Sequence, residues 1–186
     1  MAPQTFSWTD FEAAEAGFAD AVRERFLLYK HHVLATLRAD GSPRVTGLEV
    51  EIRGGELWLG MMPGSRKADD LLRDPRFAVQ ANPGPDAEMA DGDVRISGRA
   101  VEVVDPAERA RYADEVRPPE PFLLFRAELT EVVHTGIDKE AEEIVLRVWR
   151  PGAPLRTIRR GGGTEPPREE VQEWEAPERE AQDQEA

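Results

Sequence analysis

Two tight-turn signals constrain the fold of this chain more than any other feature of its sequence. Asp40-Gly41 separates residues 33–38, in which apolar and polar side chains alternate, from a second alternating run at residues 44–52. Arg53-Gly54-Gly55-Glu56 separates that run from a third at residues 57–62. Alternation is typical of strands, and glycine at such short turns is typical of β-hairpins. We therefore expect consecutive antiparallel strands in the first third of the chain.

The remaining elements are predicted from caps and periodicity. Thr9 as N-cap, with Glu12 three residues later, forms a capping box and predicts an amphipathic helix over residues 10–30. Shorter helices are expected over residues 65–73 and, after Asp105-Pro106, over residues 107–116. Further strands are expected over residues 76–81, 93–104, 122–137 and 142–150.

The order of these elements indicates the fold class. About seven mostly antiparallel strands are joined by tight turns, and helices occur only where the strands are interrupted. This pattern favours a mainly β (α+β) fold whose sheet closes into a barrel. Closure would also remove the free strand edges. The barrel domain is expected to span residues 1–160.

The end of the chain differs in composition from the rest. The 186 residues carry a formal charge of −13, and residues 161–186 contain nine acids against two bases. This segment begins with three glycines, and its sizeable apolar side chains are Val171 and Trp174. It cannot bury enough apolar surface to fold alone, so we predict a disordered acidic tail over residues 161–186. Its expected role is solubility; the alternative is docking on a partner through Val171 and Trp174.

Composition and missing motifs exclude several classes of function. The chain has no cysteine, which excludes disulfides, thiolate metal sites and cysteine nucleophiles. It lacks a signal peptide and a membrane-spanning run, so we expect a cytoplasmic protein that is not bound to a membrane. A basic footprint for nucleic acid is missing. His31 and His32 are adjacent and cannot share a face, and His134 has no second ligand near it in sequence, so no metal site is expected.

The most specific functional signal is Gly64-Ser65-Arg66-Lys67, at the start of the short helix. Cations at a helix N-terminus are unfavourable by a few tenths of a kcal/mol each, up to ~1, because that end carries partial positive charge. A bound anion reverses this cost, since free N–H groups, the Ser65 hydroxyl and both cations can converge on one phosphate. We interpret the turn as a phosphate site. The alternative is a solvated helix start with Ser65 as N-cap.

The surroundings of this turn resemble the flavin-binding split barrel of the pyridoxamine 5′-phosphate oxidase family. The resemblance rests on Pro43-Arg44-Val45-Thr46, the Gly-Gly hairpin, residues 57–67 ending in Gly-Ser-Arg-Lys, Asp74-Pro75-Arg76 and the long strand of residues 94–103. It covers residues 33–104 well and the C-terminal strands loosely. The resemblance implies a split β-barrel, a homodimer, and two FMN sites at the subunit interface.

The resemblance also implies which residues contact the cofactor. The FMN phosphate would be held by Arg44, Ser65, Arg66 and Lys67. The isoalloxazine ring would be lined by the backbone of Arg44, Val45, Thr46, Gly60, Met61 and Met62. Trp149 and Arg159 would reach the flavin from the other subunit. No side chain is expected to be catalytic, because no nucleophile or acid–base motif occurs and the cofactor would carry the chemistry.

Three positions depart from the family pattern. In the true oxidases basic residues hold the substrate phosphate, and the corresponding places here are Glu49, Leu155 and Thr157. An acid at such a place argues against pyridoxamine phosphate as substrate. The expected function is therefore an FMN-dependent oxidoreductase that acts on another small molecule.

Two alternatives stay open. Deazaflavin (coenzyme F420)-dependent reductases belong to the same superfamily, and their cofactor combines ribityl phosphate with a polyglutamate tail. A basic groove for that tail could be supplied by Arg95, Arg99, Arg109 and Arg111. The other alternative is a non-catalytic flavin- or haem-binding protein.

Overall fold

The computed structural model describes residues 6–84 and 92–171, in which a mostly antiparallel sheet is flanked by helices. The elements are, in chain order, α1 (Trp8–Ala14), α2 (Ala16–Leu27), β1 (His32–Leu37), β2 (Pro43–Leu48), β3 (Val50–Arg53), β4 (Glu56–Met61), α3 (Arg66–Arg73), β5 (Arg76–Gln80), β6 (Asp93–Glu102), α4 (Pro106–Val116), β7 (Leu123–Asp138), β8 (Glu143–Trp149), β9 (Arg156–Gly161) and β10 (Arg168–Val171).

Both predicted hairpins are confirmed. β1 pairs with β2, and β3 pairs with β4, each antiparallel. Gly54 and Gly55 have φ of 59° and 76°, the left-handed region that such a turn needs and that glycine adopts without strain. The predicted run at residues 44–52 is divided at Glu49 into two strands that pair with different neighbours.

The start of the N-terminal helix was predicted wrongly. Ser7, not Thr9, is the N-cap: its hydroxyl accepts from Asp10 N, and the Asp10 carboxylate accepts from Ser7 N. Thr9 instead forms hydrogen bonds to the β3–β4 turn: its backbone N–H and its hydroxyl both donate to Gly55 O. The predicted single helix is also interrupted at Glu15, whose φ of −145° is not helical.

β7 organises the sheet, because it pairs with three strands. Residues 123–126 pair with β4, residues 132–138 pair with β8, and β6 lies along the opposite edge. The sheet order is β10-β9-β8-β7-β6-β5-β1-β2, with β3 and β4 attached to the start of β7. The fold is that of the expected split barrel.

Full closure of the barrel was predicted wrongly. In the described residues no backbone ladder joins β2 to β3 or β4, a boundary that we name the seam. Glu49 is the one residue between β2 and β3, and the backbone hydrogen bonds of β3 are made with β4. The chain therefore passes from β2 to β3 through one residue, and the two strands do not pair.

Gly98 marks the irregular point of the long β6–β7 pair. The register shifts between Ser97 and Gly98, as in a β-bulge. A Cβ atom built on Gly98 would overlap the Glu128 carbonyl oxygen and lie 3.1 Å from the Glu128 carbonyl carbon and from the Phe77 ring. The bulge therefore requires glycine, since backbone atoms cannot move aside as a flexible side chain can.

Two apolar clusters hold the helices on the sheet. In the larger one, Phe11 of α1 packs against Trp8, Phe18 and Trp149, with ring centroids 4.7–5.5 Å apart. The smaller cluster holds α4 on the sheet and consists of Trp58, Val103, Tyr112, Phe122 and Leu124. Helix α4 begins as predicted, with the Asp105 carboxylate accepting from Ala107 N and Glu108 N. None of the helices in the described residues has the length and apolar character needed to cross a membrane.

The prediction of disorder from residue 161 onward was wrong for residues 161–171. β9 extends to Gly161, and β10 pairs antiparallel with it. Arg168 Nη2 bonds both oxygens of the buried Glu143, at 2.7 and 2.9 Å, and Arg156 forms a two-point pair with Glu169 at 2.5 and 2.8 Å. Residues 172–186, with Trp174, lie outside the described residues.

We predict that β10 stabilises the fold measurably. Truncation after Gly163 removes β10 and leaves the buried Glu143 carboxylate without Arg168, whereas truncation after Val171 keeps both. The shorter protein should lose about 1 kcal/mol, a low value because Arg168 is largely exposed and screened. This loss corresponds to a midpoint about 2–4 °C lower in thermal unfolding. Equal midpoints for the two truncated proteins would show that β10 contributes nothing.

Candidate functional site

The turn between β4 and α3 presents a helix N-terminus that its own cap residue leaves open. Ser65 is the N-cap, with an extended backbone at φ −71° and ψ 144°, and α3 begins at Arg66. The Ser65 side chain makes no capping bond, and its Oγ is buried without a hydrogen-bond partner. Burial of an unpaired hydroxyl is unfavourable. The hydroxyl and the first N–H groups of α3 can therefore both bind an anion.

Two cations follow Ser65 in the first turn of α3. Arg66 is exposed and makes no hydrogen bond or ion pair with the part of the chain that the structure describes. Lys67 is half-buried, and its Nζ donates to Gly47 O at 2.6 Å. Desolvation by burial lowers the pKa of Lys67. A neighbouring anion would stabilise the charged ammonium and raise that pKa again.

A third cation is held in place by a buried carboxylate. Arg44 of β2 donates from Nε to Asp70 Oδ2 of α3 at 2.6 Å, and Thr36 Oγ1 of β1 donates to the same oxygen at 2.8 Å. Arg73 Nη2 donates to Asp70 Oδ1 at 3.1 Å. Burial alone would raise the pKa of Asp70, but the hydrogen bonds from Arg44, Thr36 and Arg73 outweigh it and the pKa is lowered. Asp70 is therefore ionised and pairs with Arg44 at neutral pH.

A second buried hydroxyl lies in β2 between these contacts. Thr46 is two residues after Arg44 and so faces the same side of the strand, and its Oγ1 is buried without a hydrogen-bond partner. Arg44 and Gly47, on either side of Thr46, both contact α3. The structure thus brings β2 and the start of α3 together around polar groups that we name the cradle: Arg44, Thr46, Ser65, Arg66 and Lys67.

The residues predicted to line the ring differ in exposure. Val45 and Met62 are 67% and 71% exposed, while Met61 is buried at 6%. Gly60 allows Tyr112 of α4 to pack closely against β4, because a Cβ at this position would lie only 3.1 Å from Tyr112 Oη. Burial, followed by the charge of Glu51, raises the pKa of Tyr112 to about 12, so its hydroxyl stays protonated.

Trp149 and Arg159 are not brought to the cradle within this chain. Trp149 is 2% exposed and packs in the larger apolar cluster against Phe11. Arg159 lies on β9, where its guanidinium is 3.1 Å from Asp138 and 3.7 Å from Glu170. The position of Trp149 is that of a core side chain, and Arg159 of β9 belongs to an ion-pair group with Asp138 of β7 and Glu170 of β10.

Glu49, at the crossing of the seam, pairs with two neighbouring side chains. Its carboxylate lies 3.2 Å from Lys30 Nζ and 3.1 Å from His31 Nε2.

His32 is buried, and its Nδ1 accepts from Asn82 N at 3.2 Å. Within residues 6–84 and 92–171, no three His, Asp or Glu side chains gather as a metal-ligand group.

The segment that contains the cradle matches a known protein family. A family model described as pyridoxamine 5′-phosphate oxidase matches residues 18–135, more than half of the chain, and includes every cradle residue. The chain belongs to this family. A comparison with curated protein sequences gives no match.

Solved structures share the fold of this chain. ChuZ from Campylobacter jejuni superposes with a TM-score of 0.57 at 14% identity, over 74% of this chain and 61% of ChuZ. PhzG from Burkholderia lata 383, solved in complex with tetrahydrophenazine-1-carboxylic acid, gives 0.53 at 16% identity, over 86% of this chain and 94% of PhzG. The conserved hypothetical protein Rv2991 from Mycobacterium tuberculosis gives 0.50 at 26% identity, over 63% and 81%.

The residues that support the cradle are not predicted by the sequence. Asp70 and Thr36 are polar residues on a helix and a strand, with no motif that predicts their contact across 34 positions. The one local signal was the spacing of Asp70 and Arg73 at i and i+3 in a predicted helix, which allows an ion pair between them. No motif singles out Tyr112 either, although its hydroxyl lies beside Gly60.

We predict that anion binding at the cradle raises the pKa of Lys67. Desolvation lowers this pKa in the structure, and a nearby negative charge favours the protonated ammonium. The measurement is a pH titration of the lysine side-chain NMR signals with and without inorganic phosphate. The signal of Lys30, which is exposed and pairs with Glu49, serves as the control and should not respond to phosphate. A Lys67 titration that phosphate leaves unchanged would place the anion elsewhere.

Proposed function

We propose that this chain binds FMN through its phosphate at the cradle and uses the flavin to oxidise or reduce a small molecule other than pyridoxamine phosphate. Membership of the pyridoxamine 5′-phosphate oxidase family supports a flavin-related function. The observation that carries the proposal is the pair of buried, unpaired hydroxyls, Ser65 Oγ and Thr46 Oγ1. Both lie on the elements that present the three cradle cations, and a phosphate would supply acceptors to all of these donors.

The apolar surface around the cradle supports a flavin ring and a second subunit. Val45, between the cradle residues Arg44 and Thr46 of β2, and Met62, in the β4–α3 turn, are 67% and 71% exposed. Large exposed apolar side chains that border one polar site are typical of ligand or subunit contacts. We propose that a second copy of the chain covers them and completes a site between subunits in a homodimer.

The positions of the arginines favour FMN over the deazaflavin coenzyme. A polyglutamate tail would need a free basic groove, but Arg95 Nη2 binds Glu131 at 2.7 Å. Arg109 Nη2 donates to Phe122 O at 2.7 Å, and its guanidinium stacks 4.6 Å from the Phe122 ring centroid. Two of the four candidate arginines therefore have structural partners. The visible spectrum of the purified protein, with the mass of any ligand released on heating, distinguishes the two cofactors.

The chemistry assigned to this chain is binding and orientation. A bound flavin supplies hydride or electron transfer. The cradle would fix the phosphate end, and the backbone of β2 and β4 would position the ring. PhzG shows that this fold can hold a small carboxylic acid that has no phosphate. We propose that the site of this chain likewise admits a substrate without a phosphate group, and that no side chain of the described residues is indispensable for turnover.

The proposal predicts a large loss of FMN affinity in the double variant Arg66→Ala/Lys67→Ala. A charge-assisted hydrogen bond to phosphate is worth ~1.5–3 kcal/mol, so the two substitutions together should weaken binding at least about tenfold. The measurement is a fluorescence or calorimetric titration with FMN. The matched control is Arg99→Ala/Arg111→Ala, which changes the net charge equally outside the cradle and should leave the dissociation constant nearly unchanged. A double cradle variant with wild-type affinity would refute the proposed site.

Glu49 is proposed to select against anionic substrates. Its carboxylate faces Lys30 and His31, so in Glu49→Lys a repelling charge is removed and three basic side chains become neighbours. Wild-type protein should neither bind nor oxidise pyridoxamine phosphate, and Glu49→Lys should gain affinity for this phosphate ester, with Glu49→Gln intermediate. Titration with pyridoxamine phosphate measures the effect. Efficient oxidation of pyridoxamine phosphate by the unmodified protein would contradict this assignment.

A further inference from the structure

Asp70 is the most completely hydrogen-bonded acid beside the cradle, although no motif assigns it a role. Its side chain is 4% exposed and accepts three hydrogen bonds, from Thr36 Oγ1 and Arg44 Nε on one oxygen and from Arg73 Nη2 on the other. Burial of a carboxylate is unfavourable unless such partners satisfy it. The three donors come from β1, β2 and α3, which meet at this residue.

The geometry of Arg44 shows what Asp70 does for the cradle. Asp70 takes only the Nε–H of Arg44, and the two terminal nitrogens of that guanidinium make no hydrogen bond to the residues that the structure describes. A guanidinium held at Nε has a fixed plane and can still present its terminal N–H groups to a second partner. The Arg44 side chain is 21% exposed, so it is held by Asp70 but still reachable from solvent.

We infer that Asp70 is a positioning residue that fixes Arg44 for the phosphate of the cofactor. This inference rests on the proposed function, because it requires a phosphate at the cradle. Asp70 is too fully occupied to touch the ligand, and its negative charge would repel phosphate if it did. It acts through Arg44 by removing the rotational freedom that the arginine side chain would otherwise lose on binding.

The alternative is that Asp70 only fastens α3 to β1 and β2. Arg73 also donates to Leu37 O, which is consistent with such a fastening. The two roles differ in the hydrogen bonds on which they depend. Loss of a fastening would weaken FMN binding in Arg73→Ala as well as in Asp70→Asn, because both residues hold α3. Loss of positioning would weaken FMN binding only where the contact between Asp70 and Arg44 is disturbed, and it would leave riboflavin, which has no phosphate, unaffected.

The test compares the affinities of FMN and riboflavin in four proteins, with thermal unfolding of each as a measure of folding. In Asp70→Asn the FMN-to-riboflavin affinity ratio should fall about tenfold, because a neutral amide holds the guanidinium weakly. Arg44→Lys should lower the ratio similarly, since an ammonium paired with Asp70 has no fixed second nitrogen for the phosphate. Arg73→Ala is the matched control: it removes one hydrogen bond to Asp70 but keeps Arg44 in place, and it should preserve the ratio.

The outcomes separate the two assignments. A wild-type protein that binds riboflavin as tightly as FMN overturns the phosphate cradle itself and the inference with it. A wild-type preference for FMN that Asp70→Asn retains, or a fall in both affinities by the same factor, overturns the positioning role alone. If Asp70→Asn does not fold, Arg44→Lys decides the question, because an unchanged ratio in that variant shows that the fixed guanidinium is not used.

Discussion

The rest of this structure depends on β7, which pairs with two strands along one edge and with a third along the other. One strand of sixteen residues carries β4 at its beginning and β8 at its end, while β6 runs along the other edge. The barrel part and the β8–β10 extension therefore share one backbone. The register shift at Gly98 bends this long pair where a side chain would overlap the Glu128 carbonyl. Because β4 is fixed to β7, the turn that follows β4 has a defined position, and with it the start of α3.

The electrostatics of the candidate site follow from this arrangement. Three cations lie near a helix N-terminus, where a positive charge is unfavourable, and the only carboxylate that neutralises one of them among the described residues is the buried Asp70. Lys67 finds only the Gly47 carbonyl, and burial lowers its pKa. Ser65 and Thr46 contribute hydroxyls without partners. A bound anion, as proposed for this site, would offset the repulsion between these cations and satisfy the hydroxyls.

The sequence predicted those features whose signals are local. The glycine turns, the alternation of the strands and the Gly-Ser-Arg-Lys sequence each lie within a few residues, and their hairpins, strands and helix start are confirmed. Features that depend on distant partners were missed. β10 pairs with β9, and Arg156 and Glu169 pair between the two strands, although composition predicts a disordered tail there. Ser7 and Thr9 are both acceptable N-caps, and the contact of Thr9 with Gly55 decides between them.

The seam has a consequence for how binding and folding are related. β2 carries Arg44 and Thr46, α3 follows β4, and these two sides of the seam meet through side-chain contacts such as Arg44 with Asp70 and Lys67 with Gly47 O. An anion held by both sides, as proposed, would act as a cross-link where backbone hydrogen bonds between the strands are missing. Opening of the barrel and release of the ligand would then be the same local event, and occupancy of the cradle would add to the stability of this edge of the sheet.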